Sequence, residues 1–441
     1  MNRSDFIKGA ASVTGLGLTG NIMNNQNQII DRPSSTKSLN LKIIDVKTFV
    51  VNREGSNENF VYVKIYTNQG ITGLGEGTLS ARALTVQQAI LEHRDFLIGK
   101  DPGDIEWLWQ YMFRALRFRG GNILMNAISA IEIALWDIKG KALGVPIWEL
   151  LGGKARNKVR VYIRANNALD PKNPYKQLKG ESFNGDETKQ AAENWVRRKN
   201  EGWTACKASF ISDDMPPTGR NTRVRDGIKQ LQAVREAVGE DFDILVETHG
   251  KPTPPMARDF CKEAEAFHPM FIEEPGQIED LGEWERLRSH TSAPLATGER
   301  LTTKFGFKEL CHRHLVDYVQ PDVIHAGGIM ELKKIGAIAE ANRIEMIPHN
   351  PNSLVCTMAS LNVNMCTPNA VMLEIGSGSF CCEQFRDMFY GATVEFEEGY
   401  ALPPQKPGLG IDLDEEVAAK FPYEPKRRYA PLDHDGSVSD G

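Results

Sequence analysis

Cysteine is scarce in this chain: seven among 441 residues, scattered and without a single Cys-x-x-Cys pair. That pattern excludes a structural zinc site and a disulfide framework, and reads instead as small buried apolar side chains in a reduced protein. Long hydrophobic runs are missing as well. No stretch of roughly 18 consecutive apolar residues occurs, so no membrane span is expected. Positive charge has no surplus either: 52 Lys and Arg face 58 Asp and Glu, for a net charge of −6, and no long basic run appears. Nucleic acid is therefore not expected as a partner, since phosphate binding needs clustered positive charge, and an anionic membrane surface is no more favoured. What is present is ordinary for a loop-rich globular chain: 41% hydrophobic and 25% charged residues, with 39 Gly and 23 Pro.

Residues 1–40 stand apart. Asn2-Arg3-Ser4-Asp5-Phe6-Ile7-Lys8, followed by a Gly/Ala/Leu run to Gly20, resembles a twin-arginine export leader in which Ser4 takes the place of the second arginine. The apolar run is short and no small-x-small cleavage site follows. An export leader and a disordered tail are both open readings, which leaves cytoplasmic and periplasmic placement open too, and the segment is set aside from the fold.

From residue 41 to 77 the chain reads as strands. Ile43-Ile44-Asp45-Val46 and Val61 to Tyr66 are β-branched and aromatic, and Asn68-Gln69-Gly70 is a turn. Residues 84–151 switch to helical periodicity. The clearest helix is expected from Asn126 to Leu143, with Ile128, Ile131, Leu135 and Ile138 on one face and Gly144 and Pro146 as its stop. Strands followed by helices make an α+β block.

Beyond Val159 short apolar strands alternate with amphipathic helices. The expected strands are Val159–Arg164, Trp203–Ala208, Asp243–Glu247, Met270–Glu273, Pro294–Gly298, Asp317–Gln320, Ile344–Pro348 and Val371–Ile375. Such alternation means parallel strands with helical crossovers, and eight of them close into an α/β barrel of the TIM type. The polar stretch from Asn166 to Lys189 is expected to be a loop over the barrel mouth.

Barrel enzymes carry their reactive groups at the C-terminal ends of strands. Those ends here offer Lys207, Glu247, Glu273, Glu299, Asp322, His349 and Glu374, the last six at intervals of 23 to 27 residues. One strand, one helix and two loops take about that length, so one ionisable side chain recurs per barrel unit. Glu247, Glu273 and Glu299 on consecutive strands would repel each other unless neutralised, and a hard divalent cation with oxygen ligands, Mg²⁺, suits them. Glu274, next in sequence, is left as a supporting acid. Asp322 beside His349 would fix the imidazole tautomer and raise its basicity, which makes a general base. His249 lies two residues past Glu247, on the same face of an extended chain, and is placed to protonate a leaving hydroxyl. Glu374 could act as an acid of raised pKa toward a substrate carboxylate, and Lys207 could neutralise that carboxylate. His325, in a glycine-rich turn, is assigned to backbone geometry instead.

The run Ala127-Ile128-Ser129-Ala130-Ile131-Glu132-Ile133-Ala134-Leu135-Trp136-Asp137-Ile138-Lys139-Gly140-Lys141, continuing through Pro146 to Leu150-Leu151-Gly152, closely resembles the signature of the mandelate racemase/muconate lactonizing group of the enolase superfamily. Phe118-Arg119-Gly120-Gly121, Phe271-Ile272-Glu273-Glu274-Pro275, Thr297-Gly298-Glu299-Arg300, Gln320-Pro321-Asp322, His325 to Ile329 and Pro407 to Ile411 are most similar to the D-galactonate dehydratases within it. The resemblance implies an α+β capping domain at 41–155, a modified (β/α)₇β barrel at 156–382 and a segment at 383–441 that packs back on the cap. It implies Mg²⁺ on Glu247, Glu273 and Glu299, and an enediolate formed by the His349–Asp322 pair. It further implies His249 as the acid that releases a 3-hydroxyl, and Glu374 as the carboxylate-binding acid. The expected partner is a small sugar acid, and the chain is expected to form a homo-oligomer. The expected reaction is dehydration of an aldonate to a 2-keto-3-deoxy acid. An epimerase or anhydro-sugar-acid cycloisomerase on the same site, and a non-catalytic sugar-acid binding protein, are the alternatives. Loops at Asn52–Asn59 and Gly77–Arg82 would set substrate choice. Three departures from the group's pattern stand out: Glu247 where aspartate is usual, Ser209 where racemases of the group have a second lysine, and the long 166–189 stretch.

Overall fold

The structure is a computed structural model that describes residues 36–53, 58–115, 117–165, 169–170, 173–177, 187–211, 219–376, 383–426 and 436–438. Residues 1–35 of the expected leader, residues 54–57, and most of the polar stretch after the first barrel strand lie outside that set.

Three antiparallel strands, Ile43–Asn52, Asn59–Thr67 and Thr72–Glu76, form a small sheet. The turn between the second and third places Gly70 at φ +76°, a left-handed conformation that glycine adopts without steric cost. The third strand reads Thr-Gly-Leu-Gly-Glu, a poor strand by propensity. Its glycines are explained by what lies on them: a Cβ on Gly73 would fall 2.0 Å from the Ala134 carbonyl oxygen, and one on Gly75 1.9 Å from that of Ala130. The helix Asn122–Leu143 packs directly on the strand backbone there. That helix starts one turn before the expected Asn126 and ends as expected, with Gly144 at φ +69°. It is buried nearly all round, because the sheet covers one face and the barrel helices another.

All eight expected barrel strands are present, most of them shortened at the ends: Val159–Arg164, Ala205–Ser209, Asp243–Glu247, Phe271–Glu273, Leu295–Thr297, Tyr318–Val319, Glu345–Met346 and Met372–Glu374. The first seven pair in parallel, each with the next in sequence, and the eighth pairs in parallel with the first. A parallel bridge between Met346 and Ala370 joins the seventh strand to the start of the eighth and brings the circuit round. Long helices follow the first seven strands, Glu187–Asn200, Arg220–Val238, Pro254–Ala264, Leu281–His290, Thr303–His312, Ile329–Ala341 and Leu354–Met365, whereas the eighth leads only to the short Glu383–Met388. The segment expected as a plain loop over 166–189 contains a short antiparallel hairpin, Leu169–Asp170 with Asn173–Gln177, and its helix begins at Glu187.

Side chains on a strand alternate faces with period two. Tyr162, Ala205, Leu245, Phe271, Ala296, Ile347 and Met372 form one buried cluster inside the barrel. Two residues on from six of these stand Arg164, Lys207, Glu247, Glu273, His349 and Glu374. The apolar layer is thus the floor, and the ionisable residues are the next inward step toward the C-terminal mouth.

After the barrel the chain returns to the three-stranded sheet. Lys64 donates to the Leu413 carbonyl at 3.1 Å, and the Asn59 side chain donates to the Glu424 carbonyl at 2.8 Å. Two buried glutamates fasten the N-terminal block to the barrel. Glu132 accepts the N–H groups of Ile329 (2.7 Å) and Met330 (2.9 Å) at the start of the sixth barrel helix. Glu76 accepts from the Ser353 hydroxyl (2.5 Å) and the Cys356 N–H (3.0 Å) at the start of the seventh. Each satisfies helix-end donors that would otherwise be orphaned. Burial pushes Glu76 up to about 7 from 4.5, against the pull of its hydrogen bonds, and pushes Glu132 up to about 8.

Between 4.5 and about 7, therefore, the folded protein holds a proton on Glu76 that the unfolded chain has lost, and stability falls as pH rises through that window. The shift corresponds to at most on the order of 3 kcal/mol. Glu76→Gln should flatten the decline of melting temperature between about pH 5 and pH 7.5 in a thermal-unfolding series. Parallel curves for the two proteins would show that Glu76 is not its source.

Candidate active site

Eight residues singled out from the sequence meet at the C-terminal mouth of the barrel. Glu247 and Glu273 end the third and fourth strands in direct register. Glu299 follows the fifth, just after Gly298. One carboxylate oxygen from each of the three lies within 4.8 Å of the other two. Glu247 and Glu273 are fully buried.

Lys207, on the second strand, stands in the middle of this acidic group. Its ammonium is 3.2 Å from Glu247 Oε2, 3.0 Å from Glu273 Oε1 and 3.1 Å from Glu374 Oε1. Burial alone would lower Lys207; Glu273 and Glu374 instead raise it well above its usual value, so it is a fixed cation. Burial would likewise raise Glu247, yet Lys207 and His249 hold it down at about 2. Glu374 is also held low, because Lys207, His349 and Arg164 outweigh its burial. The expectation of a raised-pKa acid at Glu374 is not met in this geometry: an ammonium at 3.1 Å keeps it a carboxylate. Glu273 goes the other way, raised well above the usual range by burial and by Glu247. Lys207 cannot neutralise every carboxylate around it.

That imbalance tests the fit of a metal ion. Glu247 Oε2 and Glu299 Oε2 are buried and have no hydrogen-bond partner. Two buried carboxylate oxygens with ion-pair contacts but no hydrogen bond, and a third carboxylate driven toward protonation, make a donor set short of positive charge, and hard oxygen ligands suit a hard divalent cation. The residues present fit Mg²⁺.

On the far side of Glu299 stands His349, its Nε2 3.2 Å from Glu299 Oε2 and its Nδ1 2.8 Å from Asp322 Oδ2. Asp322 is fully buried, and its His partners and hydrogen bonds hold it below its usual value against burial. An ionised carboxylate only accepts, so Nδ1 of His349 donates and Nε2 faces the acidic group. Burial would lower His349; Glu299 first and Asp322 second raise it to about 10. His249 stands beside Glu247. Its backbone N–H donates to Glu247 Oε1 at 2.9 Å, and its Nε2 lies 3.6 Å from Glu247 Oε2. Burial keeps His249 below 6.5 despite Glu247 and Glu299.

Glu274 turns away from the acidic group, at φ +48°, and pairs with Arg300, Nε to Oε2, at 2.9 Å. The left-handed backbone, which nothing in Glu-Glu-Pro signals, sends the two adjacent carboxylates to different partners.

Sequence reasoning missed four residues. Arg164 ends the first strand beside Lys207 and pulls Glu247 and Glu374 downward; the strand-end rule that found the others applied to it equally. His325, assigned to a turn, has its Nε2 3.7 Å from Asp322 Oδ2, and its Nδ1 meets the Asn126 amide at 2.9 Å. The signal was its place three residues after Asp322, which becomes one face of the short helix Val323–Ala326. Asn352 donates to Asp322 Oδ2 at 3.0 Å. Gln320, fully buried, has neither amide atom in a hydrogen bond. Five of the cysteines are buried and unpaired, as expected; Cys381 and Cys382 lie outside the described residues.

Comparison with known proteins matches residues 44–152 to the N-terminal domain of the mandelate racemase/muconate lactonizing enzyme family, and residues 188–417 to the enolase C-terminal domain-like family. A D-galactonate dehydratase from Ralstonia pickettii (strain 12J) is 38% identical over 388 residues, covering 86% of this chain and 96% of that one. A D-galactonate dehydratase from Klebsiella pneumoniae (strain 342) is 37% identical over 360 residues, covering 81% and 89%. Among solved structures, an enolase from Pantoea ananatis with bound D-gluconate and Mg superposes with a TM-score of 0.78 at 29% identity, over 88% of this chain and 96% of that one. An enolase-superfamily member from Salmonella Typhimurium gives 0.80 at 28% identity, over 87% and 98%.

Proposed function

The chain belongs to the mandelate racemase/muconate lactonizing enzyme family of the enolase superfamily, and from that premise we propose that it is a sugar-acid dehydratase acting on a galactonate-like aldonate. The reaction removes the C2 proton, breaks the C3–O bond and releases water. The resulting enol tautomerises to a 2-keto-3-deoxy acid. The observation that carries this reading is the convergence of three carboxylates within 4.8 Å of one another, with His349 beside one of them and His249 beside another.

Glu247, Glu273 and Glu299 would hold Mg²⁺, which when bound would neutralise charge gathering on the substrate carboxylate. The other steps belong to the chain's own groups. His349 takes the C2 proton on Nε2, while Asp322 holds its Nδ1–H and so fixes which nitrogen is the base. A base must be neutral to act, and Glu299 is the chief group that keeps His349 protonated. With Glu299 turned to a cation, that pull on His349 would weaken. His249 supplies a proton to the departing 3-hydroxyl. Lys207 is the fixed cation among these carboxylates, and it reaches a substrate carboxylate only by exchanging one of its three carboxylate partners.

Ser209, two residues past Lys207, supports elimination over racemisation, because a two-base racemase needs a second base on the face opposite His349 and a serine hydroxyl is too weak. Incubating the protein and Mg²⁺ with D-galactonate, D-gluconate and other aldonates and aldarates should yield a 2-keto-3-deoxy acid from at least one of them, detected by its semicarbazone absorbance. Conversion to an isomer without loss of water, or no turnover across the panel, would overturn the reading.

A further inference from the structure

The turn that carries His249 is tied from outside the site by side chains with no part in the chemistry above. His249 sits at φ +53° and Gly250 at φ +70°, and Glu274 across from them at φ +48°. Left-handed backbone at a non-glycine residue is costly and persists only where its surroundings hold it. Here Gly250 N–H donates to the Glu274 carbonyl at 2.7 Å, and the Thr248 hydroxyl lies 2.9 Å and 2.7 Å from the carbonyls of Glu273 and Glu274.

A second tie closes over the first. Gln277 donates through Nε2 to the Gly250 carbonyl at 3.0 Å, and Arg300 Nη1 donates to Gln277 Oε1 at 2.6 Å. The same guanidinium pairs through Nε with Glu274 Oε2 at 2.9 Å. Its Nη2 lies over Gly250, where an added Cβ would come within 2.9 Å of it and 3.1 Å of Gln277 Nε2. Gly250, Gln277, Arg300 and Glu274 thus form a ring that joins the loops after three successive strands. Asp322 and His349 follow the sixth and seventh strands, outside this ring.

Resting on the dehydratase reading, we propose that Gln277 and Arg300 are positioning residues that aim the His249 imidazole at the departing hydroxyl, and so govern elimination but not removal of the C2 proton. The C2–H electron pair first passes into the substrate carboxylate, giving an enediolate, and becomes the C2–C3 π bond only when the C3–O bond breaks. The oxygen leaves as water with the proton from His249, and His349 keeps the proton from C2. A misaimed His249 leaves the first half of this sequence intact and its reversal unopposed. The C2 position then exchanges with solvent instead of eliminating.

Gln277→Leu removes both hydrogen bonds at similar volume. Arg300→Lys keeps a charge on Glu274 but cannot bridge to Gln277 as a planar fork does. In D₂O with Mg²⁺, both variants should form the 2-keto-3-deoxy acid about 10- to 100-fold more slowly, the cost of a misplaced catalytic group. The remaining substrate should gain deuterium at C2 faster than with the wild-type enzyme, with a melting temperature close to wild type. Product formation and exchange falling together in both variants, or neither changing, would overturn the proposal. A wild-type enzyme that neither exchanges nor eliminates on any sugar acid would instead sink the dehydratase reading, and this proposal with it, before any variant is made.

Discussion

Replacing Glu273 with glutamine is expected to lower turnover about a thousandfold or more while leaving the fold as stable as before, or slightly more so. The two halves of that expectation share a cause. Glu273 is fully buried, and both burial and Glu247 push its pKa well above the usual range. Without a cation the folded protein therefore bears the cost of protonating it or of holding it among like charges, and a neutral isostere removes that cost while leaving an amide oxygen to accept from Lys207, now 3.0 Å from both carboxylate oxygens. What the variant loses is one of three charges that fit a divalent cation. Several kcal/mol of charge stabilisation at about 1.4 kcal/mol per tenfold amounts to that loss of rate. The direct measurement is the melting temperature with and without Mg²⁺. A ligand at about 100 times its Kd stabilises by roughly 2.7 kcal/mol, so the wild type should melt higher with Mg²⁺ and Glu273→Gln should not. Normal turnover, or an undiminished Mg²⁺ shift, in the variant would remove Glu273 from the ligand set.

His349→Asn is the second large effect. It should depress both C2 exchange in D₂O and dehydration, each by about 10²- to 10⁴-fold, the usual contribution of a positioned general base. Asparagine has no atom where Nε2 was, 3.2 Å from Glu299, while Asp322 keeps its hydrogen bonds from Ile324 and Asn352. The surrounding structure should therefore persist. Loss of both reactions separates this variant from the Gln277 and Arg300 variants, in which exchange is kept. Exchange that continues at the wild-type rate in His349→Asn would move the base elsewhere, and Lys207, the only amine among the assigned residues, is the first place to look.

The placements legible in the sequence were local ones. Glu247, Glu273, His349 and Glu374 were found because a strand has period two and a barrel unit repeats at a nearly constant length, so chain position alone put them on one rim. Those not legible depend on contacts far apart in the chain, or on backbone conformation that residue type does not announce. Glu374 looked like a raised-pKa acid until Lys207 was placed 3.1 Å from it. Glu274 reads from the sequence as a supporting acid, but only its left-handed φ decides that its partner is Arg300. His325 looked like turn geometry until Asn126, from the N-terminal block, held it beside Asp322.

The two glutamates that fasten the N-terminal block tell the same story. Glu76 meets Ser353 across 277 positions of chain, and Glu132 meets Ile329 across 197. Nothing near either residue in sequence marks it as a cap for a distant helix. Order along the chain was enough to establish eight parallel strands, the helices between them and the identity of the side chains at their ends, because periodicity and strand-end position are properties of short segments. Which of those side chains bear charge, which nitrogen of His349 faces the acidic group and what steadies His249 were decided only by folding, because a protonation state or a hydrogen bond depends on neighbours that the chain brings together from hundreds of residues away.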